Sequence, residues 1–221
     1  MPWWPRQVAR AGLVSGLLLI SGNFSSAQSL VQQAYLKATN PLAGDNFGKV
    51  LAISGDTAVV GAPGENNLAG AAYVYVRSGI TWAFQAKLLP SSPGVGDEFG
   101  FSVAISGDTI VVGARSEGAD DSGAAYVFVR SGTNWSQQAY LKAANTGAGD
   151  NFGDTVAISA NTIVVGAPFE DSSTTGANST SNNSASDAGA AYVFVRSGTN
   201  WSQQAYLKAS NSDSFDLFGV S

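Results

Sequence analysis

Residues Gly123 to Ala143 read GAAYVFVRSGTNWSQQAYLKA, and residues Gly189 to Ala209 repeat them without a change. A looser copy, GAAYVYVRSGITWAFQAKL, runs from Gly70 to Leu88. Ahead of each copy stands a short tag: Gly44-Asp45-Asn46-Phe47-Gly48, Gly96-Asp97-Glu98-Phe99-Gly100 and Gly149-Asp150-Asn151-Phe152-Gly153. Phe215-Asp216-Leu217-Phe218-Gly219 opens one more. The tag phenylalanines are spaced by 52, 53 and 66 residues, and the longer last interval carries its surplus in one Ser/Asn-rich loop, Asp171 to Asp187. A period near 50 built from strand-like runs predicts propeller blades or a β-solenoid. The repeats span about 44–95, 96–148 and 149–214, with a further one opening at 215–221.

The first 27 residues read as a signal peptide. Arg6 and Arg10 supply a positive start, Ala11 to Ile20 an apolar centre too short to span a bilayer, and Ser25-Ser26-Ala27 a small-residue cleavage site. The expectation is export, to the cell surface, the extracellular medium or a periplasm, with 28–221 as the repeat domain and no transmembrane segment. The chain has no Cys, so neither disulfides nor a lipidated cysteine hold it. Without Arg6 and Arg10, nine basic residues face 16 acidic ones, a net charge of −7. An acidic chain lacking basic clusters argues against nucleic acid and anionic membrane as partners. The absence of His removes the commonest general base and the commonest zinc ligand together.

Each repeat contains four strand-like runs; in the second they are Phe101 to Ser106, Thr109 to Ala114, Ala124 to Arg130 and Trp135 to Ala143. Gly55-Asp56 and Gly107-Asp108 have the length and residue type of tight hairpin turns, while the third copy has Ala160-Asn161. In Ala124-Ala125-Tyr126-Val127-Phe128-Val129 both alternating sets are apolar, which predicts a sheet buried on both faces. The fourth run alternates with polar residues and reads as a wet outer strand whose Lys142 guards against edge pairing. Gln32 to Ala38 reads as one more such outer strand. The signal peptide aside, the prediction is an all-β chain of stacked four-stranded blades.

The succession Phe-Gly, Val-Ala-Ile-Ser-Gly-Asp-Thr, Val-Val-Gly-Ala-Pro and Gly-Ala-Ala-Tyr-Val-Phe resembles the FG-GAP repeat of integrin α-subunit propellers, and more closely its secreted bacterial relatives. The resemblance covers nearly all of the chain after residue 27 and implies a β-propeller. Its structural anchors fall on Phe47, Gly48, Phe99, Gly100, Phe152, Gly153, Phe218 and Gly219, and on Gly61-Ala62-Pro63 and Gly166-Ala167-Pro168. The middle copy departs from the pattern as Gly113-Ala114-Arg115. Three complete blades fall short of the four to eight with which propellers typically close. The expectation is an incomplete propeller, truncated from a longer parent, which in isolation either self-associates through its open terminal blades or is poorly stable.

Candidate sites are few. Integrin repeats often hold calcium between the first two strands of a blade, but here that position carries only Ser-Gly-Asp-Thr, without the DxDxDG ligand set a hard cation needs. Asp120-Asp121 and Glu170-Asp171 with Asp187 read as solvated loop acids, with a weak calcium site as the alternative. Asp45, Asp97, Asp150 and Asp216 recur at one place and read as corners whose carboxylates accept backbone N–H groups. The four tag phenylalanines read as buried anchors between blades. Trp82, Trp135 and Trp201 each open an outer strand and read as covers over the blade rim, with sugar-stacking platforms as the functional alternative. The loop Asp171 to Asp187 is polar, of low complexity and expected to be mobile. No catalytic pair, cofactor loop or metal cluster emerges. The resulting expectation is a non-enzymatic binding or adhesion module with a protein or glycan ligand at its loop face. A glycan-binding propeller using the Trp residues is the alternative, and a hydrolase the lesser one.

Overall fold

Every strand in the computed structural model, which describes residues 32–221, belongs to one of three antiparallel sheets of four, four and five strands. The first sheet is β1 (Leu51–Ser54), β2 (Thr57–Ala62), β3 (Ala71–Ser78) and β4 (Thr81–Leu88), paired in chain order. The second repeats it with β5 (Phe99–Ser106), β6 (Thr109–Ala114), β7 (Ala124–Ser131) and β8 (Asn134–Leu141). The third consists of β9 (Thr155–Ser159), β10 (Thr162–Ala167), β11 (Gly176–Ala177), β12 (Ala190–Ser197) and β13 (Asn200–Lys208). Here β11 adds a fifth strand outside β13. The first strand of each following sheet lies against the first and second strands of the sheet before it, and these carry most of the contact between blades. The sheets thus form three consecutive blades of a propeller arc. The signal-peptide residues lie outside the described ones.

The register shows why the two-residue turns matter. Ser54 pairs with Thr57, Ser106 with Thr109 and Ser159 with Thr162, leaving Gly55-Asp56, Gly107-Asp108 and Ala160-Asn161 to turn the chain. Gly55 and Gly107 sit at φ +56°, and Ala160 holds the same turn at φ +50°, a left-handed conformation that a Cβ makes costly. One apolar layer lies between the first and second sheets, joining Val59, Val74 and Leu88 to Phe99, Ile110 and Tyr126. Another lies between the second and third, joining Val111, Val127 and Leu141 to Phe152, Ile163 and Tyr192. The doubly apolar strand β7 of the second sheet is buried on both faces because a sheet lies on either side of it.

Several expectations are corrected. Gln32 to Ala38 forms no strand, because an outer strand takes its ladder from the third strand of its own blade and none among the described residues precedes it. It packs instead on the first sheet through Leu36 and Ala38, where the Tyr75 hydroxyl donates to the Lys37 carbonyl. Lys142 and Lys208 do not guard an edge; they turn inward onto Glu117 and Glu170. The Asp171 to Asp187 loop is tied down: Asn178 exchanges hydrogen bonds with the Tyr206 backbone, and Asn182 accepts from Ser173 and Ser184. The one helical turn among the described residues, Glu65–Leu68, has Asn66 and Asn67 at positive φ, so it is a compact loop rather than a helix.

Candidate functional site

The recurring tag is the joint between blades. Phe99, Phe152 and Phe218 form parallel bridges to Gly70, Gly123 and Gly189 of the preceding blade. The rings of Phe99 and Phe152 are buried at 0 % and 1 %, edge-on to Tyr126 and Phe128 and to Tyr192 and Phe194. Phe47 and Phe218, expected to be buried like them, are half-buried, because neither has a complete blade on both sides. Gly48 and Gly153 each donate to the carbonyl of the Gly-Ala-Pro glycine, Gly61 and Gly166, both at 3.0 Å. Gly100 stands at φ +88°, its carbonyl oxygen lying where a Cβ on Gly61 would be. Ala62, Pro63, Ala167 and Pro168 are buried beside these contacts. Asp45, Asp97, Asp150 and Asp216 each accept the backbone N–H three residues upstream, at 2.7 to 2.8 Å. Burial, with Glu170 and Asp171 adding repulsion, pushes Asp150 up to about 6, so one of these repeated corners has its own electrostatic environment.

The tryptophans are structural fasteners. Trp135 donates its indole N–H to Gln85 at 2.8 Å, and Trp201 donates to Gln138 at 3.0 Å, each reaching the outer strand of the preceding blade. Gln85 and Gln138 are the extra residues of bulges opposite Val74/Tyr75 and Val127/Phe128. Arg77, Arg130 and Arg196 lie over the Trp82, Trp135 and Trp201 rings at 5.7, 5.2 and 5.3 Å. Arg130 and Arg196 also reach Thr57 and Thr109 of the preceding blade. A sugar needs an open ring face, and these half-buried rings are engaged by Arg.

Most of the loop carboxylates are likewise engaged. Glu170 is buried and accepts from Lys208 at 2.7 Å, Tyr206 at 2.8 Å and the Ser172 backbone at 3.1 Å. Asp120 accepts the Ser122 hydroxyl at 2.8 Å, and Asp171 accepts the Asp187 backbone N–H at 2.9 Å. Glu117 holds Lys142, and Glu65 holds Lys87 and the Tyr73 hydroxyl.

One cluster stands apart because each of its members is a place where the copies differ. The residue after Phe-Gly is Lys49, then Phe101, then Asp154; the residue after the tag Asp is Asn46, then Glu98, then Asn151. Arg115 stands where the other copies have Pro63 and Pro168. These residues meet in space. The Lys49 ammonium and the Arg115 guanidinium carbon each lie 3.7 Å from the Phe101 ring centroid. Arg115 pairs with Glu98 at 2.5 Å and Asp154 at 3.5 Å, and its carbonyl accepts from Asn151 at 2.9 Å. Tag residues of the second and third blades thus converge on Arg115, and Lys49 of the first joins them through the Phe101 ring. Burial lowers the Lys49 pKa, with Arg115 adding repulsion, while burial raises that of Asp154 against the pull of Arg115. In the sequence Arg115 stands out only as a departure from the motif, and nothing in the motif singles out Lys49, Phe101, Glu98 or Asp154. The signal was available as columns of the repeat that change charge class from copy to copy.

The FG-GAP repeat family model matches residues 30–75, 82–128 and 135–194. The chain belongs to the FG-GAP repeat family. No curated protein matches it. Among solved structures, Saccharomyces cerevisiae Sqt1 is similar at 13% identity with a TM-score of 0.47, over 77% of this chain and 38% of that one, so this chain spans well under half that length.

FG-GAP repeats build propeller modules typically used for protein binding. Within this FG-GAP chain the joint residues are conformationally required in every blade, whereas the Lys49, Phe101 and Arg115 cluster is required by none of them. Among the described residues no helix is long and apolar enough to cross a membrane.

Proposed function

We propose that the protein is an exported, non-enzymatic FG-GAP module that binds a protein ligand, at a cell surface or outside the cell, through the rim formed by Lys49, Phe101 and Arg115. The observation that carries this reading is the convergence of repeat-breaking residues on Phe101. A repeat array is stable with one consensus at every blade. Residues that abandon it together, and meet, answer to something other than folding. An aromatic ring stacked against an arginine is a pairing enriched at the core of protein interfaces. Lys49 is solvent-exposed except where its ammonium sits over Phe101, is in no ion pair among the described residues, and Phe101 is half-buried, so both offer surface to a partner. The tryptophans, expected as the alternative sugar platforms, are half-buried with an Arg over each ring, and Trp135 and Trp201 spend their N–H groups on the preceding blade.

The test is to probe the purified chain in parallel against an array of secreted and cell-surface proteins and an array of glycans. Saturable binding to a protein, lost when Phe101 is replaced by Ala and kept when Trp135 is replaced by Phe, is the expected result. Binding confined to glycans, or binding indifferent to Phe101, would replace this reading.

A further inference from the structure

Among the ion pairs of the described residues, that of Lys208 and Glu170 is sealed from water: its side chains are 0 % and 3 % exposed, whereas Lys87 and Lys142 keep 28 % and 26 % in their pairs with Glu65 and Glu117. The Asp171 to Asp187 loop contributes to the seal, because its buried Ser172 donates both its backbone N–H and its hydroxyl to Glu170. Glu170 also accepts from the side-chain amide of Asn145, at 3.2 Å. One buried carboxylate thus holds a primary amine on Oε2 and a carboxamide on Oε1.

The other copies show that a blade does not need this meeting. Five residues before the tag Asp stand Asn40, Ser92 and Asn145. The second blade folds with Ser92 in that place, and its Glu117 accepts from Lys142 and Tyr140 with no amide bonded to it. In the first blade Asn40 accepts from the Tyr73 hydroxyl at 3.3 Å, while Glu65 is held by Lys87 and the same hydroxyl. Among the described residues the third blade alone brings amine, carboxylate and amide together. The hydroxyl of Tyr192, the equivalent of Tyr73, is buried beside Asn145 and Glu170 and has no partner in hydrogen-bonding geometry. A buried donor without a partner calls for an explanation.

We infer that Lys208 and Asn145 condense into an intramolecular isopeptide bond, with Glu170 as the proton shuttle. In a site without water, the charges of Lys208 and Glu170 are removed when one proton passes from Nζ to the carboxylate, and this frees the amine as a nucleophile. Nζ then bonds to Cγ of Asn145, and the charge that develops on Oδ1 takes the Tyr192 hydroxyl as its donor. Glu170 gives its proton to Nδ2 and accepts one from the attacking nitrogen. The bond from Cγ to Nδ2 breaks, and ammonia leaves with the last proton as ammonium. An ammonium and a carboxamide are consumed, a secondary amide and an ammonium ion are formed, and no other reactant is required. Holding both groups on one carboxylate inside a closed core takes the place of chemical activation. The product ties the segment entering the third blade to the last residue of β13, a covalent closure in a chain that has no Cys for a disulfide.

Mass spectrometry of the purified chain, denatured and digested with trypsin, decides the matter. No Lys or Arg lies between residues 143 and 195, so Asn145 travels in the peptide 143–196, and an acylated Lys208 leaves 197–221 uncut. The two peptides are expected to emerge joined, lighter than their sum by one ammonia, with fragmentation placing the link between Asn145 and Lys208. Asn145→Ser gives the third blade the residue that the second already accommodates, so it is expected to melt cooperatively and to release 143–196 and 197–208 separately. Glu170→Gln, which cannot carry the proton, is expected to lose the joined peptide as well. Separate peptides from the parent chain, a joined peptide that persists in Asn145→Ser, or one that persists in Glu170→Gln would each overturn the proposal.

Discussion

Gly113 of the second blade lies so close to Gly153 of the third that a methyl group on Gly113 would stand 2.0 Å from the Gly153 carbonyl oxygen. The same approach recurs between Gly61 and Gly100 at 2.1 Å and between Gly166 and Gly219 at 2.0 Å. The glycine of Phe-Gly and the glycine at the Gly-Ala-Pro position of the preceding repeat are thus two halves of one contact. Blades pack near the first strands only because neither side carries a side chain there.

Gly113→Ala is therefore expected to cost about 2–3 kcal/mol, because the added methyl meets backbone that cannot rotate away. Gly107→Ala adds its methyl to open space and is expected to lose only about 1 kcal/mol through its positive φ. Denaturant midpoints measure both, and equal losses would show that the blades do not pack at this contact.

Phe152→Ala should cost about 3–5 kcal/mol, as expected for emptying an aromatic site in a closed core. Phe218→Ala, at a joint with one blade missing, should cost about 1 kcal/mol. Thermal melts that rank the two alike would contradict the account of the joints.

Much of this was legible in the sequence because the repeat states each constraint three times. Double apolar alternation in Ala124 to Val129 means burial on both faces, and the tags mark the blade entries. The bulges were not legible. Gln85 and Gln138 look like ordinary members of an alternating strand, and only the pairing partner shows the extra residue that frees each to meet the next tryptophan. The inward turn of Lys142 and Lys208 was hidden for a related reason, since their partners Glu117 and Glu170 lie on loops more than twenty residues earlier.

Ala160 fills a left-handed turn position that glycine holds in the other two blades. Ala160→Gly is expected to stabilise the chain by about 1 kcal/mol, the relief of αL strain outweighing the added freedom of the unfolded chain. A lower melting temperature would show that the third hairpin depends on the methyl group.

Asp150, pushed up from 3.8 to about 6 chiefly by burial, binds its proton more tightly in the folded chain than in the unfolded one. Its ionised form therefore costs stability above that value, and the cost fades as pH falls through 6 toward the unfolded value. Asp150→Asn keeps an acceptor for the Gly147 N–H and is expected to gain about 1 kcal/mol near pH 7.5, allowing for solvent screening. The gain should shrink as the pH is lowered. A gain that is constant with pH would mean that Asp150 does not titrate in this range.

The rim is tested most directly by giving the second blade the residue its neighbours have. Arg115→Pro restores the Gly-Ala-Pro motif that the first and third blades already accommodate, so the melting temperature is expected to stay within a few degrees of the parent. It also removes the guanidinium from Phe101, Glu98 and Asp154. Affinity for the protein ligand, measured by titration calorimetry on both chains, is expected to fall at least about tenfold, as for loss of one interface hot-spot arginine. Unchanged affinity in a variant that melts normally would contradict the claim that this rim is the binding surface.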